Sequence, residues 1–96
     1  MLNRPLSENE CATWQREHRL HLPCPFDADE LAQLVNWTGE IEAWPETPGR
    51  WMKYFEKGVG GDGRQLCRVE NFVPYHEGFR ELILGTGVMA MLGQLM

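Results

Sequence analysis

The chain has 96 residues, 43% of them hydrophobic and 24% charged, a composition that fits one folded domain and argues against disorder, collagen or coiled coil. Nine basic against fourteen acidic residues leave a net charge of −5, and no basic run offsets it. Nucleic acid and anionic membrane surfaces are therefore poor partners. No stretch approaches the roughly 20 apolar residues of a spanning helix, and no apolar signal-peptide core follows Met1-Leu2-Asn3-Arg4-Pro5. Cys11, Cys24 and Cys67 are too few and too scattered for a disulfide framework, so a reduced, cytoplasmic protein is expected. A domain this small buries only about 60–65% of its unfolded surface, and modest stability follows.

The first helix is announced by Leu6-Ser7-Glu8-Asn9-Glu10. Ser7 caps, Glu10 completes a capping box, and Leu6 with Cys11 forms a hydrophobic staple. This helix is expected to run to about His18, with Cys11 and Trp14 on one face. Arg19-Leu20-His21-Leu22 alternates polar and apolar before Pro23 and Pro25, the pattern of a short strand. Phe26-Asp27-Ala28-Asp29-Glu30-Leu31 repeats the helix-start chemistry, with Asp27 as cap, Glu30 reaching back and Phe26 stapled to Leu31. Leu31, Leu34, Val35, Thr38 and Ile41 then recur at helical spacing and predict a buried stripe, widened by Trp37 and Trp44. Pro45 and Pro48 end it in a loop at Glu46-Thr47-Pro48-Gly49.

Trp51–Glu56 and Gln65–Phe72 read as two strands of a hairpin with a glycine-rich tip between them. Strict alternation puts Cys67 and Val69 on one face and Leu66, Arg68, Glu70 and Phe72 on the other. From about Glu77 the chain is helical: Phe79, Leu82 and Ile83 are apolar, Gly85-Thr86-Gly87 interrupts, and Val88, Met91, Leu92 and Leu95 resume the stripe. The apolar turn at Val88–Met96 carries no capping glycine or polar tail, so further covering structure is expected.

Gly58-x-Gly60-x-x-Gly63 matches the dinucleotide-binding glycine pattern in letters. That chemistry needs a helix after the glycines so that the pyrophosphate meets its N-terminus, and a strand follows here. The motif reads as a hairpin tip. His18-x-x-His21-x-x-Cys24, with Cys11 upstream, has zinc-ligand residue types, but in an extended segment that spacing scatters side chains over both faces. No metal site is expected from it. His76, beside Glu77, reads as a capping or solvent-facing residue. Arg68 and Glu70 form either a pocket pair or a cross-strand ion pair, and Asn71 either binds substrate or closes a turn. The four tryptophans, with Tyr54 and Phe55, read as core material, some of which covers a partner surface instead.

Two extended strings carry a family resemblance. The segment Thr38-Gly39-Glu40-Ile41-Glu42-Ala43-Trp44-Pro45-Glu46-Thr47-Pro48-Gly49-Arg50-Trp51-Met52-Lys53-Tyr54-Phe55-Glu56 resembles the amino-terminal region of phytanoyl-CoA dioxygenase family proteins. So does Arg64-Gln65-Leu66-Cys67-Arg68-Val69-Glu70-Asn71-Phe72-Val73-Pro74-Tyr75-His76. The resemblance implies a double-stranded β-helix oxygenase that uses Fe(II) and 2-oxoglutarate, coupling decarboxylation of 2-oxoglutarate to hydroxylation of an aliphatic substrate. Such iron needs a His-x-Asp/Glu…His triad, which leaves positions open for cosubstrate and oxygen, and a cation further on for the distal carboxylate. None of His18, His21 or His76 has an acid two residues later, so no catalytic or metal residue is carried over.

The expected architecture is α+β, with helices packed on a small antiparallel sheet that contains one long hairpin. Residues 1–96 form a single domain, the amino-terminal portion of a larger oxygenase domain. Tyr54, Arg68, Glu70 and Asn71 are the candidates for facing the substrate cavity of the complete enzyme. The partner is then the remainder of the oxygenase barrel, covering the apolar helix faces. The alternative is an autonomous binding module without catalysis, self-associating through those faces.

Overall fold

Residues 1–58 and 63–96 are described in the computed structural model, and the centre of the Gly58–Gly63 tip lies outside them. The architecture is α+β. Helices α1 (Glu8–Glu17) and α2 (Ala28–Ala43) precede a hairpin of β1 (Met52–Lys57) and β2 (Arg64–Glu70). A 3-10 turn (Val73–Tyr75) leads to α3 (Glu77–Leu84) and α4 (Thr86–Leu95).

Both expected capping boxes form. Ser7 Oγ accepts from Glu10 N at 3.1 Å while Glu10 Oε1 accepts from Ser7 N at 2.9 Å. Asp27 and Glu30 do the same at 2.8 and 3.0 Å. His18, left-handed at φ 57°, stops α1. The strand expected at Arg19–Leu22 is absent, since the sheet of the described residues contains β1 and β2 alone. Its sidedness survives: Leu20 and Leu22 are half-buried and Arg19 and His21 exposed. Alternation can orient side chains, but a strand also needs a neighbouring backbone to bond, and none among the described residues pairs with this segment.

Helix α2 buries only part of its expected stripe. Ile41 is buried and Leu34, Trp37 and the following Trp44 are half-buried, whereas Leu31 is 51% and Val35 72% exposed. No basic residue sits in the last turn of α2. Lys53 of β1 supplies the missing cation, its Nζ donating to the carbonyls of Glu42 at 2.8 Å and Trp44 at 2.6 Å.

The hairpin departs from strict alternation. Tyr54 pairs with Arg68 but Phe55 with Leu66, which leaves Cys67 as the extra residue of a bulge. The slip moves Leu66 onto the face of Val69, both half-buried, and separates it from Arg68 and Glu70. The expected grouping of Leu66 with the two charged residues is thus corrected.

The carboxy-terminal helical segment is two helices. Gly85 adopts φ −73° and ψ 170°, and a Cβ there would strike the carbonyl of Glu81, so the break requires glycine. Gly87 lets Leu2 run close over the start of α4. Further along, the Gln94 amide clasps the backbone of Leu6 from both sides, accepting from its N–H at 2.8 Å and donating to its carbonyl at 3.1 Å.

Among the described residues the buried set is small, Leu6, Ile41, Met91 and His76, and none of these side chains is fully buried. The four tryptophans are half-buried and do not form a closed core as expected. The radius of gyration is 16.9 Å, against roughly 12–13 Å for a compact domain of this length.

Candidate functional site

The hairpin separates two surfaces of opposite character. Its underside, with α2 and α3, forms a groove of about 390 Å³ lined by Thr38, Ile41, Glu42, Leu66, Val69, Phe72 and Phe79. The lining is mostly apolar because the Cys67 bulge turns Leu66 and Val69 the same way.

The outer face carries three of the four sequence-derived site candidates. The Tyr54 hydroxyl donates to Glu70 Oε2 at 3.2 Å, and Arg68 Nε lies 3.2 Å from Glu70 Oε1. The Arg68 guanidinium lies over the Tyr54 ring, 4.2 Å from its centroid. The Arg68–Glu70 ion pair runs along one strand and not across two, with side chains 60% and 47% exposed. Asn71 stands apart. It is left-handed at φ 59° and donates from Nδ2 to the carbonyl of Arg50, tying the base of the hairpin to the loop before β1.

Arg64 offers an instructive contrast on the same strand. It too covers an aromatic ring, that of Phe55 at 3.9 Å. Both of its terminal nitrogens, however, bond Glu46, at 3.0 and 3.1 Å. That pairing raises the affinity of Arg64 for its proton and lowers that of Glu46.

Below the hairpin His76 joins the sheet end to the helices. It is 7% exposed and packs against Trp37, Trp44 and Phe79, with ring centroids 5.2–5.9 Å apart. Nδ1 accepts from Phe79 N at 3.1 Å and caps α3, so the ring proton sits on Nε2 and faces Glu40 Oε2 at 2.7 Å. The capping expectation holds and the solvent-facing one does not. Nothing local in the sequence pairs Glu40 with a histidine 36 positions away.

The side chains of the described residues do not compose an iron site. Both nitrogens of His76 are engaged, His18 and His21 are exposed, and no three His, Cys, Asp or Glu side chains among the described residues are grouped to hold a metal. Nor is any helix of the described residues long and apolar enough to cross a membrane.

A 2-aminoethylphosphonate dioxygenase of an uncultured bacterium is 38% identical over 91 residues, covering 94% of this chain and 34% of the relative. A methylphosphonate hydroxylase of Gimesia maris is 28% identical over 95 residues, 99% of the chain and 36% of the relative. A dioxygenase of Epichloe uncinata is 34% identical over 67 residues, 70% of the chain and 25% of the relative. The chain is similar to part of a dioxygenase. It spans about a third of the length of the bacterial relatives it matches. No protein-family model matches it, and the likeness shown is to proteins named as dioxygenases and a hydroxylase. No solved structure matches either.

Proposed function

We propose that this chain is the amino-terminal scaffold of a phytanoyl-CoA-dioxygenase-like hydroxylase that uses Fe(II) and 2-oxoglutarate and acts on a small phosphonate. The observation that carries this reading is the 38% identity to a 2-aminoethylphosphonate dioxygenase across nearly the whole chain. The described residues bring no set of iron ligands together. The proposal therefore assigns iron and cosubstrate to the two thirds of the relatives' length that this chain does not span. What the chain contributes is a hairpin with a polar outer face, where Tyr54, Arg68 and Glu70 meet the substrate cavity and Asn71 fixes the strand base. The apolar underside and the exposed Leu31 and Val35 favour covering by the rest of the oxygenase barrel. A cytoplasmic setting, where the three free thiols stay reduced, belongs to the same proposal.

Exchange of the matched segment tests the reading. The 2-aminoethylphosphonate dioxygenase is rebuilt with this chain in place of its aligned 91 residues, and oxygen consumption dependent on 2-oxoglutarate is measured. Turnover that an iron chelator abolishes is the expected result. A folded hybrid that binds iron and 2-oxoglutarate but turns over no phosphonate would overturn it.

A further inference from the structure

We infer that the outer face of the hairpin is a receptor for a zwitterion, with Arg68 holding an oxyanion head and Glu70 the ammonium beside it. The inference rests on the phosphonate reading above and assigns its recognition to named side chains. Arg68 is held in place yet left open. The Tyr54 ring lies beneath its guanidinium at 4.2 Å, and Glu70 engages Nε at 3.2 Å. Its two terminal nitrogens meet no carboxylate or carbonyl among the described residues. That leaves the planar fork that binds phosphonate or carboxylate in a bidentate way.

Four of the other cations are already engaged, and among the described residues Arg16, Arg19, Arg50 and Lys57 have neither a carboxylate partner nor an aromatic ring beneath them. Both terminal nitrogens of Arg64 bond Glu46, and both of Arg4 bond Glu10. Lys53 caps α2, and Arg80 Nη1 donates to the carbonyl of Pro74. Among the described residues Arg68 alone combines an aromatic platform and a fixing carboxylate with an open fork.

Glu70 decides which anions are welcome. A simple dianion on Arg68 would sit against the Glu70 carboxylate and be repelled, whereas a ligand with an ammonium near its phosphonate satisfies both charges. Tyr54, donating to Glu70 Oε2, keeps that carboxylate turned toward the guanidinium.

The test is a titration of the chain followed at the Arg68 and Arg64 Nε–Hε signals by nuclear magnetic resonance, at constant ionic strength. The probes are 2-aminoethylphosphonate, methylphosphonate, 2-oxoglutarate and sulfate. The expected result is saturable movement of Arg68 but not Arg64, with 2-aminoethylphosphonate binding more tightly than the other three. Glu70→Gln is then expected to change the two phosphonates in opposite directions, weakening 2-aminoethylphosphonate and strengthening methylphosphonate, each by about threefold, as for an exposed charge pair. A side chain that serves only to brace the strand would not produce opposite signs. Arg68→Lys, which keeps the charge and removes the fork, should weaken both. Equal movement of Arg64, equal response to sulfate, or a Glu70→Gln effect of one sign on both phosphonates would each overturn the assignment. Tighter binding of 2-oxoglutarate than of either phosphonate would overturn it in favour of a cosubstrate contact. The oxygenase reading is judged separately, by turnover of the hybrid enzyme, and either result can fail without the other.

Discussion

Replacing His76 by alanine removes three interactions at once, and their sizes can be read from the structure. The Nδ1 bond to Phe79 N is the side-chain cap of α3, worth about 1 kcal/mol. The Nε2 bond to Glu40 is half open to water on the Glu40 side, which holds it to about 0.5–1 kcal/mol. Loss of the ring from between Trp37, Trp44 and Phe79 adds about 1–2 kcal/mol in edge contacts and cavity. The total is about 3 kcal/mol, against roughly 5–14 kcal/mol available to a chain of this length. The melting temperature should therefore fall by about 12–24 °C. Urea unfolding followed by tryptophan fluorescence measures the change directly, since Trp37 and Trp44 flank the site. His76→Asn restores a capping oxygen and should recover about 1 kcal/mol. A His76→Ala cost below 1 kcal/mol, or an asparagine no better than alanine, would refute this account of the junction.

Other perturbations have equally definite outcomes. Gly85→Ala drives a Cβ into the Glu81 carbonyl and should destabilise by about 1–3 kcal/mol, while Gly39→Ala, which meets nothing, should gain roughly 0.5–1 kcal/mol; paired thermal melts decide this. Gln94→Ala strands the Leu6 N–H and carbonyl at a cost of about 1–3 kcal/mol, and hydrogen exchange at Leu6 should quicken. The Arg4 guanidinium, and then the Ser7 backbone, hold the Glu10 carboxyl down at about 2. Because the folded value lies below the usual 4.5, the stabilisation is complete above that range and is lost as pH falls toward 2. A carboxyl titration of Glu10 by carbon-detected resonance should therefore show no midpoint near 4.5. Desolvation, and then Glu56, push the Cys67 thiol up, so alkylation at neutral pH should be slow and should quicken in Glu56→Gln.

The parts of this molecule that can be read from sequence are those fixed within a few residues. Ser7 with Glu10, and Asp27 with Glu30, satisfy each other's backbone donors inside one helical turn, so their spacing alone locates α1 and α2. Gly85-Thr86-Gly87 likewise marks the break between α3 and α4, because only the absence of a Cβ permits it. What escaped depends on distant partners. The alternation at Arg19–Leu22 set sidedness but had no strand to bond. The bulge at Cys67 is a matter of pairing between β1 and β2, and it reverses the side of Leu66 without leaving a local mark. Of the site candidates, Tyr54, Arg68 and Glu70 converge because their register keeps one parity beyond the bulge, whereas Asn71 turns away to Arg50. His76 was recognisable as a cap, but its burial follows from Trp37, Trp44 and Phe79, which only the tertiary fold assembles.

The central claim, that this chain is the scaffold part of an iron-dependent hydroxylase, is tested most directly by reading the coding DNA in frame beyond codon 96 in the native source. The expected result is a continuation that encodes His-x-Asp or His-x-Glu and a distant second histidine, a ligand set that the described residues do not assemble. A stop codon at that point, or a continuation without that triad, would contradict it.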